Sequence, residues 1–179
     1  EAAGKAITST AGCTKVSAGC ANCYAERMAG RFPREGFAAR FPGLQMDTDD
    51  FSDVLLHPDR LGEPLRWRKP RRVFVCSMGD LFHDDVPDDF IAMVFNAMRA
   101  SPQHTFIVLT KRPARAAAVV GEAVQNIWLS VSVENQGTAD ERIPLLLKTP
   151  AAVRFVSVEP MLGQVDIARW MHPRQRKLD

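Results

Sequence analysis

Long apolar runs are missing from this 179-residue sequence. None approaches the roughly 20 residues a helix needs to cross a bilayer, and the N-terminus lacks a basic segment leading into a hydrophobic stretch. The expectation is a cytoplasmic protein with no membrane partner. Net charge is nearly missing too, since 23 Lys and Arg against 21 Asp and Glu leave only +2. Without a global field, attraction to a nucleic acid or an anionic lipid has to come from a local patch. Cysteine is scarce at four residues. So few in so long a chain do not make a disulfide framework, and a reducing compartment leaves them available for metal. What is present is ordinary globular material, 46% hydrophobic and 25% charged. Such a chain can build one domain with a real core across residues 1–179.

Three of the four cysteines, Cys13, Cys20 and Cys23, fall within eleven residues. Thiolate is the soft ligand that zinc and iron-sulfur clusters select, and Gly12 and Gly19 let the backbone wrap closely around a bound centre. A closed zinc site needs a fourth ligand, for which Cys76, His57 and His83 are candidates, whereas three cysteines on a [4Fe-4S] cluster leave one iron open. Inert packing and a dithiol redox pair are the other readings. The glycine-rich polar surroundings are poor core material, and Cys20-x-x-Cys23 lacks the context of a redox motif.

Along the chain, Lys5 to Thr10 forms a short β-favouring stretch before the cysteine loop. Asn22 is placed to cap a helix from about Cys23 to Phe32, which Pro33 ends. Residues 34–53 show no periodicity and are expected to be irregular. Another helix is expected from Leu56, with Leu61 and Leu65 on related positions, until Pro70 stops it. From Arg72 a βα rhythm sets in, with apolar runs at 73–77, 105–110, 127–133 and 153–158. Between the first two, Asp84 or Asp85 is expected to cap a helix with Pro87 in its first turn and Phe90, Ile91, Met93, Val94, Phe95 and Met98 in the core. Asp84, Asp85, Asp88 and Asp89 read as favourable charge at that helix start rather than as a metal site.

Each apolar run ends in polar residues: Ser77 to Asp80, Lys111-Arg112, Glu134-Asn135 and Glu159-Pro160. In parallel α/β proteins the carboxyl edge of the sheet builds the site. The expected fold is therefore α/β, a partial parallel (β/α) barrel of about five strands, with the cysteine loop on the same rim. One further stretch, Arg66 to Arg72, places five cations around Trp67. It can meet phosphates and stack a base, or it can be a solvated helix end whose cations complement the negative pole.

Several segments resemble the phage-type three-cysteine-motif proteins of unknown function. They are Gly12-Cys13-Thr14-Lys15-Val16-Ser17 with Gly19-Cys20 and Cys23-Tyr24-Ala25-Glu26-Arg27-Met28, then Leu56-His57-Pro58, and Pro64 to Arg72. Further along come Ser77-Met78-x-Asp80-Leu81-Phe82-His83, Leu109-Thr110-Lys111-Arg112-Pro113, Val131 to Gln136, Ala139 to Pro144, and Phe155 to Pro160. That family is itself similar to radical S-adenosylmethionine (SAM) proteins of the spore photoproduct lyase type.

The resemblance implies that Cys13, Cys20 and Cys23 ligate a [4Fe-4S] cluster whose open iron receives S-adenosylmethionine. Reductive cleavage would give methionine and a deoxyadenosyl radical that abstracts hydrogen from substrate, with the electron coming from a donor such as flavodoxin or ferredoxin. By the same resemblance Ser77 and Asp80 hold the methionine amino group, Lys111 its carboxylate, Ser132 and Glu134 the ribose hydroxyls, and Glu159 lies near the adenine. A nucleic acid or nucleotide substrate is implied by that analogy alone. Relatives continue past Asp166 through another strand with a Gly-Gly-Glu turn, where this sequence has a basic tail over 167–179, implying a barrel without its last strand or strands. The competing expectation is a non-catalytic zinc or iron-sulfur knot on a βα scaffold that binds a partner protein.

Overall fold

Four stretches rich in Val, Ile, Leu and Phe set the frame, because each can bury both faces of a strand while its ends carry the polar residues. In the computed structural model, which describes residues 5–31 and 50–171, they are β4 (Arg72–Val75), β6 (Thr105–Thr110), β7 (Ile127–Val133) and β8 (Val153–Val158). With β1 (Lys5–Ile7) they make a five-stranded sheet in the order β1-β4-β6-β7-β8, parallel throughout. Helices α2 (Asp88–Arg99), α3 (Pro113–Val119) and α4 (Gln136–Lys148) carry the crossovers between β4 and β8. Because spatial order follows chain order, right-handed crossovers place these helices on one side of the sheet. β7 is the most deeply covered strand and β8 the most exposed. That gradient marks β8 as an edge.

The core lies between the sheet and these helices, where Val73, Phe106 and Leu129 meet Ile91 and Val94 of α2 and Ile143 and Leu146 of α4. Each such side chain contributes about 1.5–3 kcal/mol through burial. The parallel α/β sheet matches expectation. The barrel does not close among the described residues: β1 and β8 are opposite edges and are not paired with each other.

A second, three-stranded sheet was not foreseen. β2 (Thr10–Gly12) pairs antiparallel with β3 (Leu55–Leu56) and parallel with β5 (Met78–Gly79). The stretch expected as one strand before the cysteines is thus divided between two sheets, β1 in the large one and β2 in the small one. This small sheet continues the carboxyl rim beyond β1 and β4, and it delivers Cys13 directly from β2.

α1 (Tyr24–Arg31) agrees with the helix expected after the cysteines. The helix expected from Leu56 to Pro70 is absent. Two 3-10 turns, Pro58–Gly62 and Pro64–Arg66, stand in its place. Pro58 and Pro64 lack the N–H that an α-helix interior uses, and each instead starts a short turn. α2 begins two or three residues later than read, with Pro87 at its N-cap rather than Asp84 or Asp85. Met93 lies off the buried stripe of Phe90, Ile91, Val94 and Met98 and is 48% exposed. The irregular stretch at 34–53 lies outside the described residues up to 49, as does the tail beyond 171; α5 (Ala168–Met171) is a single turn. No helix among the described residues is long and apolar enough to cross a membrane.

Candidate functional site

Directly after β2, the chain turns at Gly12, whose φ of 88° suits glycine and few other residues. Cys13 follows, held by its N–H donating to the Phe51 carbonyl at 2.8 Å. A 3-10 turn at Ala18–Cys20 then presents Cys20, and Cys23 immediately precedes α1. All three cysteines are half-buried free thiols, whereas Cys76 is buried. They line one cavity of about 500 Å³, together with Ser77, Asp80, Lys111, Ser132 and Glu159. That volume lies within the range of roughly 300–1,000 Å³ usual for cofactor and small-ligand sites. The rim expected from the strand ends is therefore a real concavity, and the cysteine loop forms one wall of it.

Glu134 is the exception among the expected site residues. It does not line the cavity. It sits under the cysteine loop with no exposed surface, and its Oε1 accepts from the Ser17 hydroxyl at 2.7 Å and from Arg142 at 3.3 Å. A Cβ on Gly19 would lie 2.5 Å from Glu134 Oε1, so the loop backbone rests on this carboxylate as closely as glycine permits. Glu134 Oε2 has no hydrogen-bond partner among the described residues. The Asn135 cap of α4 fixes the turn, with the Glu134 N–H donating to Thr138 Oγ1 at 2.8 Å.

Asp80 does line the cavity, but its carboxylate is already well engaged. Oδ1 accepts from the Phe82 N–H at 3.0 Å and the Thr110 hydroxyl at 2.7 Å, and Oδ2 accepts from the Lys111 N–H at 3.0 Å. It ties the end of β5 to the end of β6. Ser77 shares a hydroxyl hydrogen bond with Thr8 at 3.1 Å, and the Ser77 carbonyl accepts from the Tyr24 hydroxyl. The Glu159 carboxylate accepts from Ser157 at 2.7 Å, and Ser132 is buried with its carbonyl accepting from Arg142. Lys111 leaves its ammonium without an ion pair among the described residues while its charge acts on Cys20.

Arg112 is the residue that sequence reasoning left in its neighbour's shadow. Only 8% exposed, its guanidinium donates to Cys13 Sγ at 3.4 Å and to the Thr14 carbonyl and hydroxyl at 3.1 and 2.8 Å, and lies 3.7 Å from Asp80. Adjacency to Lys111 was the only signal, and it cannot say which cation turns inward. His83, a candidate fourth ligand, instead packs on this network. Its Nδ1 lies 3.1 Å from the Asp85 backbone nitrogen, and its Nε2 lies 2.7 Å from the Thr14 hydroxyl and 3.3 Å from the Thr14 backbone nitrogen. Burial and the Arg112 charge hold His83 below its ordinary pKa. Cys76 shares a hydrogen bond with Ser9 at 3.2 Å. Among the described residues no three His, Cys, Asp or Glu side chains are grouped so as to hold one metal ion.

The thiols differ electrostatically. Burial pushes Cys13 above its ordinary pKa despite the opposing Arg112. Burial also raises Cys20, but the backbone of Val16 and Ser17, the Ser17 hydroxyl and the Lys111 charge outweigh it and leave it below the ordinary value. At a given neutral pH the metal-free protein therefore carries more thiolate at Cys20 than at Cys13. Iodoacetamide is expected to label Cys20 before Cys13, as read by mass spectrometry of the digested protein, and lowering the pH should slow Cys20 only after Cys13 is already quiet.

Fold and site together define an open parallel α/β protein with a three-thiol loop over a cleft at the carboxyl rim of its sheet. The chain belongs to the family described as "Protein of unknown function (DUF5131)", whose sequence profile matches residues 1–172. No curated protein and no solved structure matches it.

Proposed function

We propose that this protein is a radical S-adenosylmethionine enzyme in which Cys13, Cys20 and Cys23 hold a [4Fe-4S] cluster. The observation that carries the reading is the set of three free thiols on one wall of a cofactor-sized cleft whose other wall is made of strand ends. The donor set fits such a group. Three soft ligands satisfy three irons, and Arg112 and Lys111 supply positive charge beside Cys13 and Cys20 that favours the thiolate forms. When bound, a cluster with one open iron supplies a single electron to the sulfonium of S-adenosylmethionine.

The residues of this chain then bind and orient. Lys111 offers an ammonium without an ion pair among the described residues for the methionine carboxylate, and Ser77, lining the same cleft, a hydroxyl for the amino group. Asp80 holds that corner in shape through hydrogen bonds from three donors. Ser132 and Glu159, on the β7 and β8 side of the cleft, face the nucleoside half. Glu134 serves the cofactor indirectly, by fixing the loop that carries Cys20.

Metal analysis tests this. Protein purified or reconstituted without oxygen is expected to contain about four irons and four sulfides per chain with broad visible absorbance. Cys20→Ala is expected to lose most of both, and reduced wild-type protein to convert S-adenosylmethionine to methionine. One zinc with no sulfide would instead support the metal knot that binds a partner protein, and would overturn the radical reading.

A further inference from the structure

The cations between Arg66 and Arg72 take no part in the cleft. Arg66, Arg68, Lys69 and Arg72 are exposed. The reading of this stretch as a helix end has lost its basis, because Pro64–Arg66 is one 3-10 turn and Trp67 is already extended at φ −84° and ψ 116°. No α-helix dipole is present here for the cations to complement. Just upstream, Arg60 and Glu63 neutralise each other at 2.7 Å. By contrast, Lys5, Arg66, Arg68, Lys69, Arg71 and Arg72 form no ion pair among the described residues.

Trp67 fixes the centre of this surface. Its ring meets the buried His104 edge-on, with centroids 5.5 Å apart, and His104 Nε2–H donates to the Pro64 carbonyl at 3.0 Å. Lys5 Nζ lies 4.9 Å and Arg71 Cζ 5.9 Å from the Trp67 centroid. The indole therefore organises cations and is not a free face for stacking a base. Five cations within the seven residues 66–72, with Lys5 brought to the same indole, repel one another unless an anion is near. A row of phosphates offers several anions at once, where a mononucleotide offers one site.

Position separates this surface from the cleft. Lys5 opens β1 and Arg72 opens β4, so the cations sit on the amino rim, about 15 Å along the strand direction from the Ser77 end. β1 is an outer strand of the sheet, and a polymer can pass along that edge from one rim to the other. We propose that the surface around Trp67 binds the phosphate backbone of a nucleic acid, without reading its bases. The proposal rests on the surface alone and stands or falls independently of the chemistry in the cleft.

Fluorescence anisotropy of the full chain with a labelled 20-base-pair DNA duplex and a labelled 20-nucleotide RNA, across 50 to 200 mM salt, tests it. If the four exposed cations each meet a phosphate, duplex affinity should fall about 100-fold over that range. In Arg66→Gln/Arg68→Gln/Lys69→Gln/Arg72→Gln the log–log salt slope should shrink by roughly three to four, with an unchanged circular dichroism melt. A control carrying Arg27→Gln, Arg31→Gln and Arg169→Gln, exposed cations elsewhere, should keep most of the slope. Salt-insensitive binding, a quadruple variant that binds like wild type, or a control that loses as much would overturn the proposal. So would binding only to phosphatidylserine vesicles, which would make this a lipid-headgroup surface.

Discussion

Gly12→Ala should destabilise the protein by roughly 3–5 kcal/mol and disorganise the cysteine loop, the largest effect expected of any single methyl group here. The methyl would lie 1.9 Å from the Asp53 carbonyl oxygen, 2.8 Å from its carbon and 3.1 Å from the Phe51 carbonyl oxygen. All of these are backbone atoms, so no side chain can swing aside to make room. The conformation adds its own cost, because φ of 88° is unfavourable for an L side chain by about 1–2 kcal/mol. Relief requires β2 to move away from the 51–53 segment, which breaks the Cys13 N–H bond to Phe51 and shifts the first thiol. Chemical denaturation measures the stability loss, and iron content per chain measures the displaced thiol. Gly30→Ala in α1 is the internal comparison, since its methyl meets nothing within 4 Å. There alanine should stabilise by about 0.5–1 kcal/mol, the helix-interior difference between the two residues. Equal effects at the two positions would refute the close approach at Gly12.

How far the chain could be read in advance depended on how local each cause was. β6, β7 and β8 were legible to the residue because six or seven residues dominated by Val, Ile, Leu, Phe and Trp, broken only by single polar residues, leave little else to form. α2 was legible through its stripe, and its start slipped because Pro87 takes the N-cap without needing a carboxylate. The three short strands β2, β3 and β5 were not legible, since two or three residues carry no period and exist only through pairing across the chain. Closure of the barrel is likewise a long-range matter. The leucines at 56, 61 and 65 suggested a helix, but spacings of five and four do not outweigh two prolines.

At the site the same division holds. Cys13, Cys20 and Cys23 were found because they are close in sequence, Ser77, Lys111 and Glu159 because strand ends share a rim, and Ser132 only through the family resemblance. Which way a side chain turns from that rim was not available. Ser132 on β7 and Glu134 one residue past its end share a parity and leave the same face. One lines the cleft and the other is roofed by the loop, because the loop folds over the last residue of the edge. Arg112 and Lys111 differ by one position and so diverge, one into the Cys13–Asp80 network and one toward the cleft.

That roofing carries a second large prediction. Glu134→Leu should cost about 3–5 kcal/mol, because it removes the partner of a buried cation. Arg142 is 3% exposed, and its Nη1 contacts only the Ser132 carbonyl at 2.7 Å and Glu134 at 3.3 Å among the described residues. Glu134→Gln retains an oxygen for both Ser17 and Arg142, and should cost only about 1–2 kcal/mol. A role in bare stability would be satisfied by these numbers alone, so the loop itself has to be read. Ser17→Ala removes the hydroxyl that joins the loop to Glu134 without disturbing the buried ion pair. It should leave the denaturation midpoint nearly unchanged, loosen the turn at Ala18–Cys20 and lower the cluster content of reconstituted protein. Combining Ser17→Ala with Glu134→Leu should then add less to the loss of cluster than the two changes do separately, because both remove the Ser17–Glu134 contact. Additive losses would mean that Ser17 and Glu134 act on the thiols by separate routes, and the carboxylate would have to be returned to the cleft as a ligand contact.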